Sequence, residues 1–154
     1  MKAKSIHQTL DKNRNFTRGK NPRDAMDVGQ RAMIKKWLDL MEVTGYTING
    51  DLTVDVDGDV WINNRSLSEF PHYVKFGKVA GYFACDSNRL ISLEGCPEAV
   101  GKSFSCAYNS LDSLEGCPKA INGNFYCNNN KKKFTIEEVR KFCKLPITSA
   151  VKVI

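Results

Sequence analysis

Two stretches of the chain align at a spacing of 21 residues: FACDSNRLISLEGCPEAV at residues 83–100 and FSCAYNSLDSLEGCPKAI at residues 104–121. A third stretch, FYCNNN at residues 125–130, repeats only the start of the pattern. Each begins with an aromatic residue, has a cysteine two positions later and an asparagine three positions after that. A fixed period of this length indicates stacked structural units, so we expect the chain to build a surface rather than a reaction site.

Apolar residues recur at matching positions of the two complete units, which predicts the side chains that point into the core. The predicted inward set is Phe83, Cys85, Leu90, Leu93, Cys96 and Val100, followed one period later by Phe104, Cys106, Leu111, Leu114, Cys117 and Ile121. An earlier variant unit has Val60 and Ile62 at the first two inward positions and Arg65 in place of the asparagine. Its distance of 23 residues to the next unit predicts an insertion at residues 72–78.

The strand positions that alternate with the inward set are predicted to face solvent, and a partner would bind there. The predicted binding face comprises Asp59, Trp61, Asn63, Tyr82, Asp86, Ser103, Ser105, Tyr126 and Asn128. Ala84, Ala107 and Asn124 hold the remaining outward positions. Trp61, Tyr82 and Tyr126 are of the types that most often anchor protein interfaces. The alternative is that one or more of these aromatics is covered by the N-terminal segment or by a flanking helix.

The ends of the chain differ from the repeats. Residues 1–20 are polar and basic and predict an N-terminal arm that cannot fold alone. Its candidate contacts are Lys4, Lys12, Arg14, Phe16, Arg18 and Lys20. Residues 21–45 predict a helix that caps the stack, with Asn21-Pro22 at its start. Gly29 is expected to divide it into a short first turn and a main helix near residues 30–42.

Residues 46–134 predict the repeat body. From Tyr46 the apolar period is two residues, and Asn49-Gly50 and Asp57-Gly58 are hairpin-turn signals. Phe134 is expected to fill the space left by the leucines that the last unit lacks.

Residues 135–154 predict a second capping helix and a strand. Thr135 and Glu138 have the spacing of a capping box. The apolar face is expected to hold Ile136, Val139, Phe142 and Cys143. The tail at residues 150–154 alternates between apolar and polar residues, so we expect a terminal strand over the open edge of the stack.

The unit resembles a leucine-rich repeat, in which a short strand points alternate residues inward and an asparagine satisfies backbone groups where the chain turns. The recurring Ser-Leu-Glu-Gly-Cys-Pro, at residues 92–97 and 113–118, is similar to leucine-rich-like repeat proteins encoded by tailed bacteriophages. The resemblance implies a viral origin and a short solenoid. The predicted fold is therefore α+β: a leucine-rich-repeat solenoid of about four rungs, capped by an N-terminal and a C-terminal helix.

Cysteine and histidine placement predicts reduced structural thiols and no metal site. Five of the six cysteines lie at equivalent repeat positions, where small apolar side chains stack. The chain lacks Cys-x-x-Cys spacing, and His7 and His72 are isolated.

Two further segments resemble ligand-binding motifs, a phosphate loop and a calcium loop, but neither has the spacing that the motif requires. Residues 101–103 (GKS) follow Gly95 by five residues where a phosphate loop needs four, and the acidic run at residues 55–59 has Ser66 where a calcium loop needs glutamate. We therefore expect neither an enzyme nor a cofactor.

The net charge of +6 is unevenly distributed. Lys and Arg outnumber Asp and Glu by ten to five in residues 1–45 and by seven to two in residues 131–154, but residues 46–130 carry six against ten. The basic ends leave non-sequence-specific nucleic-acid binding open as an alternative. The favoured partner is a protein, because the repeat body is acidic.

Two classes of protein partner remain, a host factor that a phage protein would modulate and a virion component along which the arm would lie. No run approaches the ~20 apolar residues of a membrane span, and the first four residues do not lead into a signal peptide. We expect the host cytoplasm or the virion as the location.

Overall fold

The structure, a computed structural model, describes residues 22–154. Within that range the chain forms two helices, α1 (Pro22–Leu40) and α2 (Ile136–Phe142). It also forms ten short strands: β1 (Tyr46–Ile48), β2 (Val54–Val56), β3 (Val60–Trp61), β4 (Phe76–Val79), β5 (Phe83–Ala84), β6 (Ala99–Val100), β7 (Phe104–Ser105), β8 (Ala120–Ile121), β9 (Phe125–Tyr126) and β10 (Val151–Lys152).

The strands form two sheets, and each repeat gives one strand to each of them. The first sheet has the order β1-β2-β4-β6-β8, and the second has the order β10-β9-β7-β5-β3. All neighbours are parallel except the β1–β2 pair. The chain returns to the first sheet at β4, β6 and β8, so it completes about three turns of a β-solenoid. The predicted α+β solenoid is confirmed, with about three turns where about four rungs were expected.

The predicted inward residues form the core. All of them are buried except Cys117, which is half-buried. Phe83 and Phe104 stack with ring centroids 5.9 Å apart, and Phe125 follows at 5.2 Å from Phe104. Burying one such ring stabilises the fold by about 1.5–3 kcal/mol, so this aromatic column is a main source of cohesion between turns.

The repeated asparagine closes the backbone where each second-sheet strand ends. The Asn109 Nδ2 donates to the carbonyl oxygens of Cys85 and Cys106, both at 3.1 Å. The Asn109 Oδ1 accepts from the Leu90 N–H at 3.0 Å. The same arrangement is made by Asn88 and Asn130. The expected role of this residue is confirmed, and it ties each turn to the one before it.

Arg65 takes the asparagine position in the first turn, where there is no preceding turn to bond. Its guanidinium pairs with the Glu42 carboxylate just after α1, and its N–H donates to the Asn88 Oδ1 at 2.9 Å. The departure from the repeat therefore joins the first turn to the capping helix.

Helix α1 covers the open end of the first turn. Trp37 packs edge-on against Phe70 and Phe76, with ring centroids 6.0 and 6.4 Å apart. Arg31 donates to the carbonyl oxygens of Ile48 and Asn49 at the end of β1. The helix runs unbroken through Gly29, so the predicted division there is wrong; one glycine costs a helix only about 1 kcal/mol.

The two predicted hairpin turns differ. Residues 49–53 do connect the antiparallel strands β1 and β2. Residues 57–58 instead form the corner at which the chain passes from β2 in the first sheet to β3 in the second, so the hairpin prediction there is wrong. The predicted insertion is confirmed, since the register grows from 22 residues at Val54–Phe76 to 23 at Val56–Val79, at a bulge.

The C-terminal segment closes the other end. The capping box of Thr135 and Glu138 is present at the start of α2. Val139, Cys143 and Phe134 are buried as expected. Ile136 and Phe142 are exposed, so two of the four predicted apolar-face residues were wrong: a seven-residue helix buries only one narrow stripe. Strand β10 pairs with β9, which confirms the predicted terminal strand.

Candidate functional site

The register of the second sheet brings the outward residues into rows that cross the strands. The central row contains Trp61, Ala84, Ser105, Tyr126 and Lys152, one from each strand. Trp61 is exposed at the α1 end of the row, and Ala84 and Ser105 have side chains too small to rise above the backbone. The row therefore has a large aromatic residue on each side of a low floor.

The row on the N-terminal side of each strand contains Asp59, Tyr82, Ser103 and Asn124. Its polar oxygens accept backbone N–H groups of the next turn. The Asp59 Oδ1 accepts from Tyr82 at 2.8 Å, the Ser103 Oγ accepts from Asn124 at 2.9 Å, and the Asn124 Oδ1 accepts from Ala150 at 2.9 Å. These bonds hold the solenoid together, a role that the sequence analysis missed. The signal was a short polar residue at this position in three of the four units, Asp59, Ser103 and Asn124.

Two exposed aromatic rings stack at one side of this surface. Trp61 is 54% exposed and Tyr82 is 39% exposed, and their ring centroids are 5.8 Å apart with the planes 28° from parallel. The Lys102 Nζ lies 5.1 Å from the centre of the Tyr82 ring. Tyr126 is half-buried, and its hydroxyl oxygen accepts from the Asn124 Nδ2 at 3.1 Å. Helix α1 and helix α2 thus leave the Trp61–Tyr82 pair accessible.

The row on the C-terminal side contains Asn63, Asp86, Ala107 and Asn128. Asn128 is only 2% exposed, Ala107 is also buried, and neither lines the groove, so the predicted exposure of these two positions is wrong. The second-sheet strands are two residues long, and the backbone turns away at Tyr108 and Asn129 with φ of 54° and 56°. The same turn follows Asn63 and Asp86, which do line the groove, so the turn alone does not bury positions 107 and 128.

The rows together line a shallow groove with a volume of about 430 Å³. Its lining includes Trp61, Asn63, Tyr82, Ala84, Asp86, Ser103, Ser105, Asn124 and Tyr126. Three strand spacings separate Trp61 from Tyr126, a distance of about 14 Å along the row. We call this the aromatic groove. It brings together seven of the nine predicted binding-face residues, with the outward neighbours Ala84 and Asn124, but not Asp59 or Asn128.

The other motifs have structural roles. The N–H groups of Gly101 and Lys102 donate to carbonyl oxygens of the preceding turn, at 2.8 and 3.1 Å, and so are not free to hold a phosphate. The Asp55 Oδ1 accepts the Lys78 N–H at 2.7 Å, which occupies one acid of the run that resembled a calcium loop. Among residues 26–154 there is no group of three or more metal-ligand side chains.

The cysteines are free thiols in the described region, and burial changes their ionisation. Burial raises the pKa of Cys117 and Cys127 to about 12 and that of Cys143 to about 11. It also raises the pKa of Cys96 and Cys106 well above the usual range. Thiols that stay protonated are poor nucleophiles, so these side chains pack rather than react.

Comparison with protein-family models, with curated proteins and with solved structures finds no match to this chain. Neither α1 nor α2, the helices of the described region, is long and apolar enough to cross a membrane. The arm candidates Lys4, Lys12, Arg14, Phe16, Arg18 and Lys20 lie outside the described residues.

Proposed function

We propose that this chain is a non-enzymatic protein-binding module that uses the aromatic groove as its contact surface. The observation that carries the proposal is the stacked pair of Trp61 and Tyr82, exposed on a sheet whose backbone is bonded from turn to turn. Tryptophan and tyrosine are enriched at the energetic centres of protein interfaces. A rigid surface loses little conformational entropy when it binds, which favours affinity.

The rest of the surface supports a protein as the partner. Polar side chains line the rest of the groove beside the two rings, and protein interfaces likewise combine an apolar contact with polar surroundings. The repeat body as a whole, residues 46–130, carries more acidic than basic side chains, which opposes a nucleic-acid backbone. The proposed partner class is therefore a protein.

The source and family of the chain are part of the same proposal. The two Ser-Leu-Glu-Gly-Cys-Pro segments support a phage-encoded protein related to leucine-rich repeats, with a second strand in each unit as its own variation. A phage protein of this kind, acting in the host cytoplasm, would bind and modulate a host protein. Placement in the virion, with the basic arm along a neighbouring subunit, is the competing role.

A pull-down with tagged protein from phage-infected cells tests the proposal. The tagged chain is compared with a Trp61→Ala/Tyr82→Ala variant and with a Tyr108→Ala/Ile91→Ala variant, whose side chains are exposed outside the groove. Nuclease treatment of a parallel sample separates protein from nucleic-acid binding. We expect one host protein that the groove variant loses and the control variant keeps.

Other results would contradict the proposal. Recovery of phage structural proteins would place the chain in the virion, and capture abolished by nuclease would establish a nucleic-acid binder. Equal capture by both double variants would show that the groove is not the contact surface.

A further inference from the structure

The C-terminal side of the aromatic groove carries hydrogen-bond acceptors that the described chain does not satisfy. The Asp86 carboxylate lines the groove, is partly exposed, and makes neither an ion pair nor a hydrogen bond with residues 26–154. The Oδ1 of Asn63 is buried and has no hydrogen-bond partner. Buried acceptors in folded proteins are nearly always bonded, so an orphan in a groove wall points to a donor that is absent.

The two acceptors are close together. The Ile62 N–H donates to the Ala84 carbonyl at 2.8 Å and the Asn64 N–H to the Asp86 carbonyl at 3.4 Å, so Asn63 lies beside Asp86 on the adjacent strand. The Asn63 Oδ1 is buried in this structure, so a rotation of the amide would be needed to turn this oxygen toward the groove that the residue lines. One donor-rich group could then contact both oxygens.

The neighbouring aromatic pair is suited to a cation. Lys102 already places its ammonium over the Tyr82 ring, at 5.1 Å from the centroid. The Trp61 ring stacks on Tyr82, is more exposed, and has no cation of the described chain over it. Indole is the ring that binds cations best. The Asp86 carboxylate, which lines the same groove, supplies the opposite charge.

We propose that the aromatic groove receives an arginine side chain of the protein partner, stacked on Trp61 and hydrogen-bonded to Asp86 and Asn63. This inference rests on the proposed function and names the chemistry of the group that the groove recognises. The guanidinium is planar, has five N–H donors and stacks on aromatic faces. A lysine ammonium is a compact group with three N–H donors and has no flat face to stack. Arginine therefore fits a site with one ring face and two acceptors at its edge.

A tripeptide titration tests the site without the partner. The probe is N-acetyl-Gly-Arg-Gly-amide, added up to 20 mM to the ¹⁵N-labelled full chain, with the Trp61 indole N–H and the Ala84 and Asp86 amides followed by NMR. The matched probe contains citrulline, which keeps the shape of arginine but has no charge. We expect saturable shifts with a Kd of about 1 mM for arginine and binding about tenfold weaker for citrulline.

Variants separate the site from general charge attraction. Asp86→Asn should weaken arginine binding about tenfold, and Asp112→Asn, at an exposed acid outside the groove, should leave it unchanged. A ¹H–¹⁵N spectrum of each variant shows whether the fold is intact. Equal binding of the citrulline probe, an equal effect of both variants, or no shift at Trp61 would overturn the arginine site. Those outcomes leave the pull-down result standing, so the two proposals fail separately.

Discussion

Single residues in the turns between strands decide how well one repeat stacks on the next. Tyr108 has φ of 54°, in the left-handed region that costs a side chain with a Cβ about 1 kcal/mol, and Asn129 has φ of 56° one turn later. Asparagine tolerates this region better than tyrosine because its short polar side chain bonds locally. The repeat therefore holds a poor and a good choice at equivalent positions.

Tyr108→Asn should raise the free energy of unfolding by about 0.5–1 kcal/mol, since it relieves this strain at an exposed site. Urea denaturation followed by circular dichroism measures the change. The reverse substitution, Asn129→Tyr, should lower stability by a similar amount. Loss of stability in Tyr108→Asn would mean that the tyrosine ring makes a contact that outweighs the strain.

Asn109→Ala should lower the free energy of unfolding by about 2–3 kcal/mol. The substitution leaves the Leu90 N–H and the carbonyl oxygens of Cys85 and Cys106 without their side-chain partner. Ser110→Ala, at the exposed next residue, is the control and should stay within about 0.5 kcal/mol of the wild type. Equal effects of the two substitutions in the same urea experiment would refute the structural role of the asparagine.

Among the elements, the corners between the two sheets impose the tightest contacts. A Cβ at Gly101 would lie 2.1 Å from the Ala80 carbonyl oxygen, which is backbone of the preceding turn. A Cβ at Gly29, in the middle of α1, would have nothing within 4 Å. The two glycines therefore have opposite significance, one required by stacking and the other only tolerated.

Gly101→Ala should destabilise the protein by about 2 kcal/mol or more, because the neighbouring turn must shift. Gly29→Ala should stabilise it by about 0.5–1 kcal/mol through higher helix propensity. Thermal unfolding of both variants measures the difference. A neutral Gly101→Ala would show that the corner is less tightly packed than its geometry indicates.

An element was predicted correctly from the sequence where its segment is long enough to show several residues of a repeating pattern. The inward set, the capping box at Thr135 and the asparagine role each rest on several residues in register, and all are confirmed. The first-sheet strands β6 and β8 have two residues each, too few to show a period, so the first-sheet strand of each unit was not predicted. Residues 57–58 have the composition of a hairpin turn, but the same two residue types are also compatible with the corner between β2 and β3. Composition alone therefore did not distinguish the two.

The candidate site was predictable in part. Alternation along the strands correctly identified Trp61 and Tyr82 as exposed. It could not show that Asp59 and Ser103 are engaged with the next turn, because that depends on the register between turns. It also placed Asn128 outside, although this side chain is buried while its equivalents Asn63 and Asp86 line the groove, a difference between turns that alternation within one strand cannot show.

For the whole molecule, the column of buried thiols makes stability depend on alkaline pH. The thiols of Cys117, Cys127 and Cys143 have folded-state pKa values of about 12, 12 and 11, raised by burial above the usual value near 9. Below pH 9 the thiols are mostly protonated in both the folded and the unfolded state, so they do not change the free energy of unfolding. Above pH 9 the unfolded chain loses protons that the folded chain keeps, so stability falls as pH rises towards 11–12.

The free energy of unfolding should fall by about 2 kcal/mol or more between pH 8.5 and pH 10.5, at roughly 1.4 kcal/mol per pH unit for each fully shifted thiol. Urea denaturation at several pH values measures this slope. Cys127→Ala removes one such thiol and should make the slope shallower. An unchanged slope in Cys127→Ala would show that its thiol ionises alike in both states.

The central claim for the molecule is that it binds a protein through the aromatic groove, and the most direct test is calorimetric titration of the captured partner into purified protein. Wild type is compared with Trp61→Ala/Tyr82→Ala and with Tyr108→Ala/Ile91→Ala, each checked for an unchanged fold by circular dichroism. Interface hot spots contribute about 2 kcal/mol or more each, so we predict binding weaker by about 100-fold or more for the groove variant and by less than about threefold for the control. Equal affinities for wild type and the groove variant would contradict the account.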